Sequence, residues 1–410
     1  MRPVCLALFL VATSAAAATF TVTTAADAGP GSLRNAILQA NADCSGLVEC
    51  HIVFDPVLFG QPIELESPLP VITACPPFTI GSLPITGLPD AHWMMEIRGD
   101  RLKSGNGFEF RASCPDAEDL VVSRVVMNGF PGAAIAVSPP GDVTHGPVGP
   151  ELRVTECYLG TDVTGTIAIP NQRGVVIDDD RGFAVIEKSL ISGNDRSGVF
   201  VWKSRMVYIQ NNIIGTGPDG ELALGNGASG IYLGATRAIV TGNTIAFNRD
   251  FGIGVSHMAP RVSAPRNSIF ENGWLGIDWE LNGRIDRDIP DDSPTPAAPV
   301  MTEAFIDPVT KVLVARGTMR WHTQPLGGFY SILLYATPGW RTHAEGERMI
   351  GETYVQVPRD NGVHELPFEI RVTNSGFTGS YITAQSSVSI QTEEVDVNTS
   401  EFSNGILVQP

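Results

Sequence analysis

The sequence predicts an all-β protein in two parts, a parallel β-solenoid with a helix over its first end and then a β-sandwich. Three observations predict it. Glycine followed by a short apolar run recurs at intervals close to 22–24 residues or one insertion longer. A second apolar triplet, ending in Asn or Gly-Thr, recurs at matching intervals. Beyond residue 300, strand-like runs return every ten to twenty residues with no helical stripe between them. Composition agrees: 43 Gly and 30 Pro among 410 residues, 43% hydrophobic and only 17% charged. Such a chain has material for a large core and is not a disordered polymer. Low charge with much Gly suits a turn-rich β protein whose solvent faces use Asn, Ser, Thr and Gly. The 27 basic residues, 23 of them Arg, are outnumbered by 44 acids, for a net charge of −17. That balance excludes a general nucleic-acid or anionic-membrane binder.

Met1–Ala18 reads as a secretory leader. Arg2 supplies the positive start, Val4 to Ala12 a nine-residue apolar run, and Ser14 to Ala18 small residues for cleavage near Ala18. The run is too short to span a bilayer, and no later stretch is long and apolar enough. The expectation is a secreted or periplasmic protein of net charge −18 once Arg2 is removed. Cys5 leaves with the leader, and Cys44, Cys50, Cys75, Cys114 and Cys157 remain. In an oxidising compartment two disulfides are expected. Cys44–Cys50 closes a small loop and is favoured, followed by Cys75–Cys114, while other pairings stay open. Cys157 lies inside the repeat and reads as a buried, inert thiol.

Residues 19–125 form the N-terminal cap and first coils. Thr19 to Thr24 alternates like a first strand, and His51 to Phe54 resembles the next. Between them Ser32 can cap a helix. Leu33, Ile37 and Ala40, with Ala36 beside them, make one apolar stripe at helical spacing. That helix covers the open end of the solenoid, where apolar ladders and free strand edges would otherwise meet water.

The repeats run over 126–282. Glycine starts the runs at Gly174, Gly198, Gly230, Gly252 and Gly276; Leu159, Ile191, Ile214, Ile245 and Ile269 mark the second pattern. Two of the longer intervals hold a related insertion, beginning Gly160-Thr161-Asp162 and Gly215-Thr216-Gly217. This is the signature of a β-solenoid, with Ile, Leu and Val inward and Gly or Asn at the corners. A leucine-rich repeat would need an LxxLxL pattern, which is absent.

Residues 283–300, with Asp286, Asp288, Asp291, Asp292 and four prolines, read as a linker that could hold Ca²⁺. Residues 301–410 then offer six or seven short strands, as in a β-sandwich.

Thr19 to Ile37, containing Gly31-Ser32-Leu33-Arg34, resembles the N-terminal signature of bacterial exported right-handed parallel β-helix proteins of the CSLREA type. Asn212 to Thr216, Asn243 to Ile245, Asn267 to Asp278 and Asn398 to Ser403 are similar to their coil repeats and C-terminal domain. Gly31 stands where the signature often has Cys. The resemblance covers nearly the whole mature chain. It implies an all-β fold: a right-handed parallel β-helix (pectin-lyase-like solenoid) with an N-terminal capping helix, followed by a C-terminal Ig-like β-sandwich. It implies little about activity.

Counting from the coil glycines predicts which side chains stack. Arg181, Arg205 and Arg237 follow at seven residues and would form an arginine ladder. Asp179, Lys203 and His257 follow at five; Asp178, Trp202 and Glu280 at four. Arg181, Arg205, Arg237 and Trp202 are therefore candidates for binding a polysaccharide or surface glycan, and Trp202, Trp274 and Trp279 for stacking on sugar faces. The first reading is an exported binder of polysaccharide or cell-surface partners without catalysis. The alternative is a polysaccharide-cleaving enzyme, most plausibly a uronate lyase. Lys203, Arg205 or His257 would then be the base, and Asp178, Asp179 and Asp180 would hold Ca²⁺.

Overall fold

The computed structural model describes residues 17–44, 49–74, 77–82, 94–111, 119–139, 151–285, 296–322, 329–338, 343–357, 363–373, 377, 380–389 and 399–409. The expected all-β architecture is observed. Strands of the first part pair in parallel and stack as a solenoid with three faces.

The first face carries the strands Phe108–Phe110, Ala133–Val137, the start of Arg173–Glu187, the start of Val199–Gln210, Ile231–Ala235, Ile253–Val255 and Ile277–Trp279. The second runs from Ala18–Val22 through Cys50–Phe54, Phe78–Gly81, Asp119–Ser123 and Glu151–Thr155. It continues into the far halves of the two long strands, then Arg237–Thr241 and Arg261–Ser263. Arg173–Glu187 and Val199–Gln210 bend round the corner and join these two faces. The third face stacks short strands from Ile63–Glu64 to Ser268–Phe270.

The period seen in the sequence is the register of this stack. On the third face Leu159 pairs with Ile191, Ile191 with Ile214, Ile214 with Ile245 and Ile245 with Ile269. On the first face Val175, Val199, Ile231, Ile253 and Ile277 form an inward column, all within 1% of full burial. These ladders supply the cohesion of the solenoid, since fully burying one such side chain is worth about 1.5–3 kcal/mol. The coil glycines serve close approach rather than unusual backbone angles. A side chain at Gly198 or at Gly230 would lie 2.9 Å from the carbonyl oxygen of the next coil's glycine. The left-handed positions fall elsewhere, on other glycines such as Gly160, Gly193 and Gly215 and on the non-glycine residues Arg124, Glu156, Lys188, Asn211 and Arg266, whose φ lies between 50° and 59°.

Asn does not line the solvent faces, contrary to the compositional expectation. Asn194, Asn226, Asn248 and Asn272 are buried and bonded in series. Each Nδ2 donates to the Oδ1 of the next, at 2.9 Å, 2.9 Å and 3.0 Å. Asn171 begins this ladder. Asn212, Asn243 and Asn267 form a second one. A side-chain amide suits the place because it accepts from one coil while donating to another, so buried peptide groups at the turn are satisfied.

The helix Leu33–Asp43 forms as expected. Ser32 Oγ accepts from the Asn35 amide at 3.2 Å, and Leu33, Ala36, Ile37 and Ala40 are its buried face. Arg34 of the Ser-Leu-Arg triplet fastens this cap. It donates to the Pro68 and Ser67 carbonyls at 2.6 Å and 2.7 Å and to Asp27 Oδ1 at 2.6 Å. Cys44 and Cys50 are joined by a disulfide, as expected. Cys75 and Cys114, the linker aspartates 286–292 and the leader residues 1–16 lie outside the described residues. Cys157 is buried and free; burial pushes its thiol up to about 12.

The second part consists of two antiparallel sheets around one hydrophobic cluster. Val300–Ile306, Leu313–His322 and Val363–Val372 make a three-stranded sheet; Arg348–Gln356, Phe329–Pro338, Ser380–Ser389 and Ile406–Leu407 a four-stranded one. These sheets close the last coil. Gly346 and Ile269 exchange backbone hydrogen bonds at 2.8 Å and 2.9 Å, Gly276 donates to the Ala344 carbonyl at 3.0 Å, and Thr399 donates to that of Val262 at 3.1 Å. Both ends of the core are therefore covered, one by a helix and one by a β domain.

Candidate functional site

The outward side of the first face carries a group of aromatic rings. Val199–Gln210 alternates, so Val199 and Val201 point inward while Phe200 and Trp202 point outward. Phe200 pairs across to Tyr232, and the two rings stack at 4.8 Å and 13°. Trp202 lies parallel to Phe200, 6.4 Å away and inclined by 6°. On the preceding coil Arg173 sets its guanidinium carbon 4.6 Å from the Phe200 ring centre. Phe200 is thus held between an arginine and a tyrosine, with Trp202 beside it.

Trp202 stands out because of a β-bulge. Ile177 pairs with Val201, but Asp178 pairs with Lys203, leaving Trp202 as the extra residue opposite Arg173–Glu187. The following coil places Gly234 beside it, whose missing side chain leaves room, since any Cβ there would strike the Trp202 backbone. Trp202 is 42% exposed as a result. Bulges re-aim single side chains in this way and are frequent at functional sites.

The same bulge corrects the register counted from the glycines. Lys203 stands across from Asp178, not Asp179, with Nζ 3.6 Å from Oδ1. The arginine ladder does not form. Arg181 is folded back on Asp179, donating from Nε and Nη2 at 3.0 Å and 2.8 Å. Arg205 falls in the irregular stretch between the Ser204 and Met206 pairings and lies over the Phe183 ring at 5.0 Å. Arg237 pairs with Arg261 instead. Insertions of one or two residues at this corner shift each arginine out of line with the next.

The three aspartates do not converge as a Ca²⁺ site. Asp179 is occupied by Arg181, Asp178 faces Lys203 and Asp180 is exposed. Among the described residues no three His, Cys, Asp or Glu side chains group closely enough to hold a metal ion. His257 is exposed in the turn after Ile253–Val255. It lies past the last pairing of its coil, Leu233 with Val255, and two coils on from Lys203, so roughly 10 Å separates the two. That is too far for both to serve one proton transfer.

Trp274 and Trp279 part company. Trp279 points into the core at 8% exposure; its Nε1 donates to the Thr399 carbonyl at 3.1 Å and its amide to Glu401 Oε1 at 2.8 Å. Asp278, which alternates with it, is covered as well: its carboxylate accepts from the Asn282 and Gly283 amides. Trp274 is 49% exposed, tilted against Phe251 at 6.0 Å and stacked on His343 at 6.1 Å. Phe251 in turn borders Gly254, where a side chain would meet it at 3.3 Å. Gly254 is the coil neighbour of Tyr232. The aromatic strip therefore continues from Trp202, Phe200 and Tyr232 past a glycine gap to Phe251, Trp274 and His343.

Among the described residues two buried polar atoms here lack a hydrogen-bond partner: Arg173 Nε, beside the Phe200 ring, and Asp178 Oδ1, across from Lys203. Sequence reasoning missed Phe200, Tyr232 and Arg173. The outward position of Phe200 and Tyr232 in the Gly-Val/Ile-aromatic runs was the available signal for those two.

Residues 167–286 match the family described as the right-handed beta helix region. This right-handed β-helix has two tailspikes among its similar solved structures. One is the enzymatically active domain of bacteriophage CBA120 tailspike protein 4. It is 10% identical with a TM-score of 0.23, over 92% of this chain and 66% of that one. The other is full-length tailspike protein 2 from Escherichia coli O157:H7 bacteriophage CAB120. It is 10% identical with a TM-score of 0.22, over 87% of this chain and 58% of that one. The chain thus spans less than two thirds of either structure, and at these TM-scores the likeness carries no argument about activity. No curated protein matches the sequence.

Proposed function

We propose that this β-helix is an exported, non-catalytic protein that binds a polysaccharide along its first face, with sugar rings laid against the strip that begins at Trp202. The observation that carries this reading is the exposed Trp202, turned outward by a bulge and set parallel to the Phe200–Tyr232 pair. Rings stacked on successive coils repeat at the strand spacing of about 4.8 Å. A flat row of them offers apolar contact to the C–H faces of pyranose units, with polar atoms alongside for hydroxyls. The Cys44–Cys50 disulfide and the leader-like residues 1–18 support export. The separation of Lys203 and His257 and the pairing of Arg181 with Asp179 favour binding over the lyase chemistry.

The test is a panel of immobilised acidic and neutral polysaccharides probed with the wild type and with Trp202→Ala and Tyr232→Ala. Binding of the wild type, weakened at least tenfold in either variant, supports the proposal. Absence of binding across the panel, or equal binding by all three proteins, sinks it.

A further inference from the structure

Most arginines of the solenoid have a carboxylate partner: Arg34 with Asp27, Arg98 with Glu96, Arg124 with Glu156, Arg153 with Glu151 and Glu187, Arg181 with Asp179. Among the described residues Arg173 and Arg196, like Arg205, Arg237 and Arg249, have none, and Arg173 and Arg196 are neighbours. The Arg196 amide donates to the Gln172 carbonyl at 2.9 Å, which sets Arg196 on the coil directly after Gln172 and Arg173. Arg173 Nη1 is held by Gln172 Oε1 at 3.1 Å. Its Nε is buried and bonds to nothing. The next coil offers only Gly227, Ala228 and Ser229 at this corner, so no side chain there reaches back to neutralise the pair.

We propose that Arg173 and Arg196 are an acid-recognition pair that selects carboxylated sugar units in the polysaccharide bound along the aromatic strip. This rests on the binding reading above and names the class of glycan. An orphaned buried donor is unfavourable. Two unpaired guanidiniums side by side add repulsion, and burial together with Arg196 holds Arg173 below its ordinary proton affinity. A carboxylate set against the two guanidiniums relieves that repulsion. The guanidinium fork matches a carboxylate in two parallel hydrogen bonds. Arg173 also lies against Phe200, so a sugar stacked beside that ring brings its carboxyl group next to the pair.

The experiment is calorimetric titration of the full chain with three oligosaccharides. These are a uronic-acid hexamer, the same hexamer with its carboxyl groups reduced to primary alcohols, and a sulfated hexamer. Wild type is expected to bind the uronate at least tenfold more tightly than the reduced form, with weaker binding at high salt. Arg173→Gln and Arg196→Gln should each abolish that preference while keeping affinity for the reduced hexamer. Trp202→Ala should weaken both. Equal wild-type binding of the acidic and reduced hexamers overturns the acid-recognition pair and leaves the polysaccharide reading intact. Preference for the sulfated hexamer, or uronate preference that survives both arginine substitutions, overturns it too. No binding to any of the three overturns both readings.

Discussion

Glu345 takes the place of the next asparagine above Asn272. Its Oε1 accepts from the Asn272 amide at 2.8 Å and from Asn272 Nδ2 at 3.2 Å, and its Oε2 accepts from the Glu271 amide at 2.8 Å. An amide ladder cannot end on itself, because its last donor needs an acceptor. A carboxylate ends it, having acceptors and no donor. Glu345 is only 3% exposed and belongs to the C-terminal domain, so the domain is bonded to the solenoid at the ladder's last rung.

Replacing Glu345 with Ala leaves the buried donors of Asn272 unsatisfied and takes the acceptor from the part-buried Glu271 amide. We expect a loss of about 2–4 kcal/mol. Glu345→Gln keeps one acceptor and should recover part of it. Thermal unfolding of the two variants beside wild type checks this; equal melting temperatures would contradict the ladder-end role.

A rung in the middle should matter in the same way. Asn226→Ala removes the Oδ1 that accepts from both the Asn194 amide and Asn194 Nδ2. Its own Nδ2 no longer meets the Ile191 carbonyl and Asn248 Oδ1. A cost of about 2–3 kcal/mol is expected, read from denaturant unfolding. Trp202→Ala, on the exposed face, should leave the same transition within about 0.5 kcal/mol of wild type.

Cys157 gives an alkaline signature. Burial raises the folded thiol to about 12 from an ordinary 9.0. The unfolded chain releases this proton first, so the stability contributed is complete below pH 9.0 and declines as pH rises towards 12, by about 1.4 kcal/mol per pH unit. Cys157→Ala should flatten that part of the stability profile. In the folded protein at pH 8 the thiol should resist alkylation by iodoacetamide and react only after denaturation.

The tryptophans separate docking from binding. Trp279→Ala opens the seam with Thr399 and Glu401, and limited proteolysis should then cut between the solenoid and the C-terminal sheets faster than in wild type. Trp274→Ala, half exposed on the strip, should lower glycan affinity without changing the cleavage rate.

The apolar columns were legible because their period survives every insertion: Leu159, Ile191, Ile214, Ile245 and Ile269 recur in step along the sequence, and they pair that way. The capping helix was legible from one cap and four small apolar residues. The corner was not. The single extra residue at Trp202 moves Asp178 opposite Lys203, and counting from Gly198 cannot detect it. The asparagines misled because their polarity suggested water, whereas their bonding partners were asparagines one coil away. Arg181 was lost to a carboxylate two positions back. Arg173 acquires meaning only from Phe200 and Arg196, more than twenty residues on in sequence.

Because each rung between Asn194 and Asn272 repeats the last one, a coil is an interchangeable part. Deleting one, or duplicating one, keeps an asparagine beneath Glu345 and a helix at the far end. The length of the strip, and on the proposed polysaccharide reading the number of sugar units it spans, then becomes a quantity that changes in whole-coil steps while both ends stay the same.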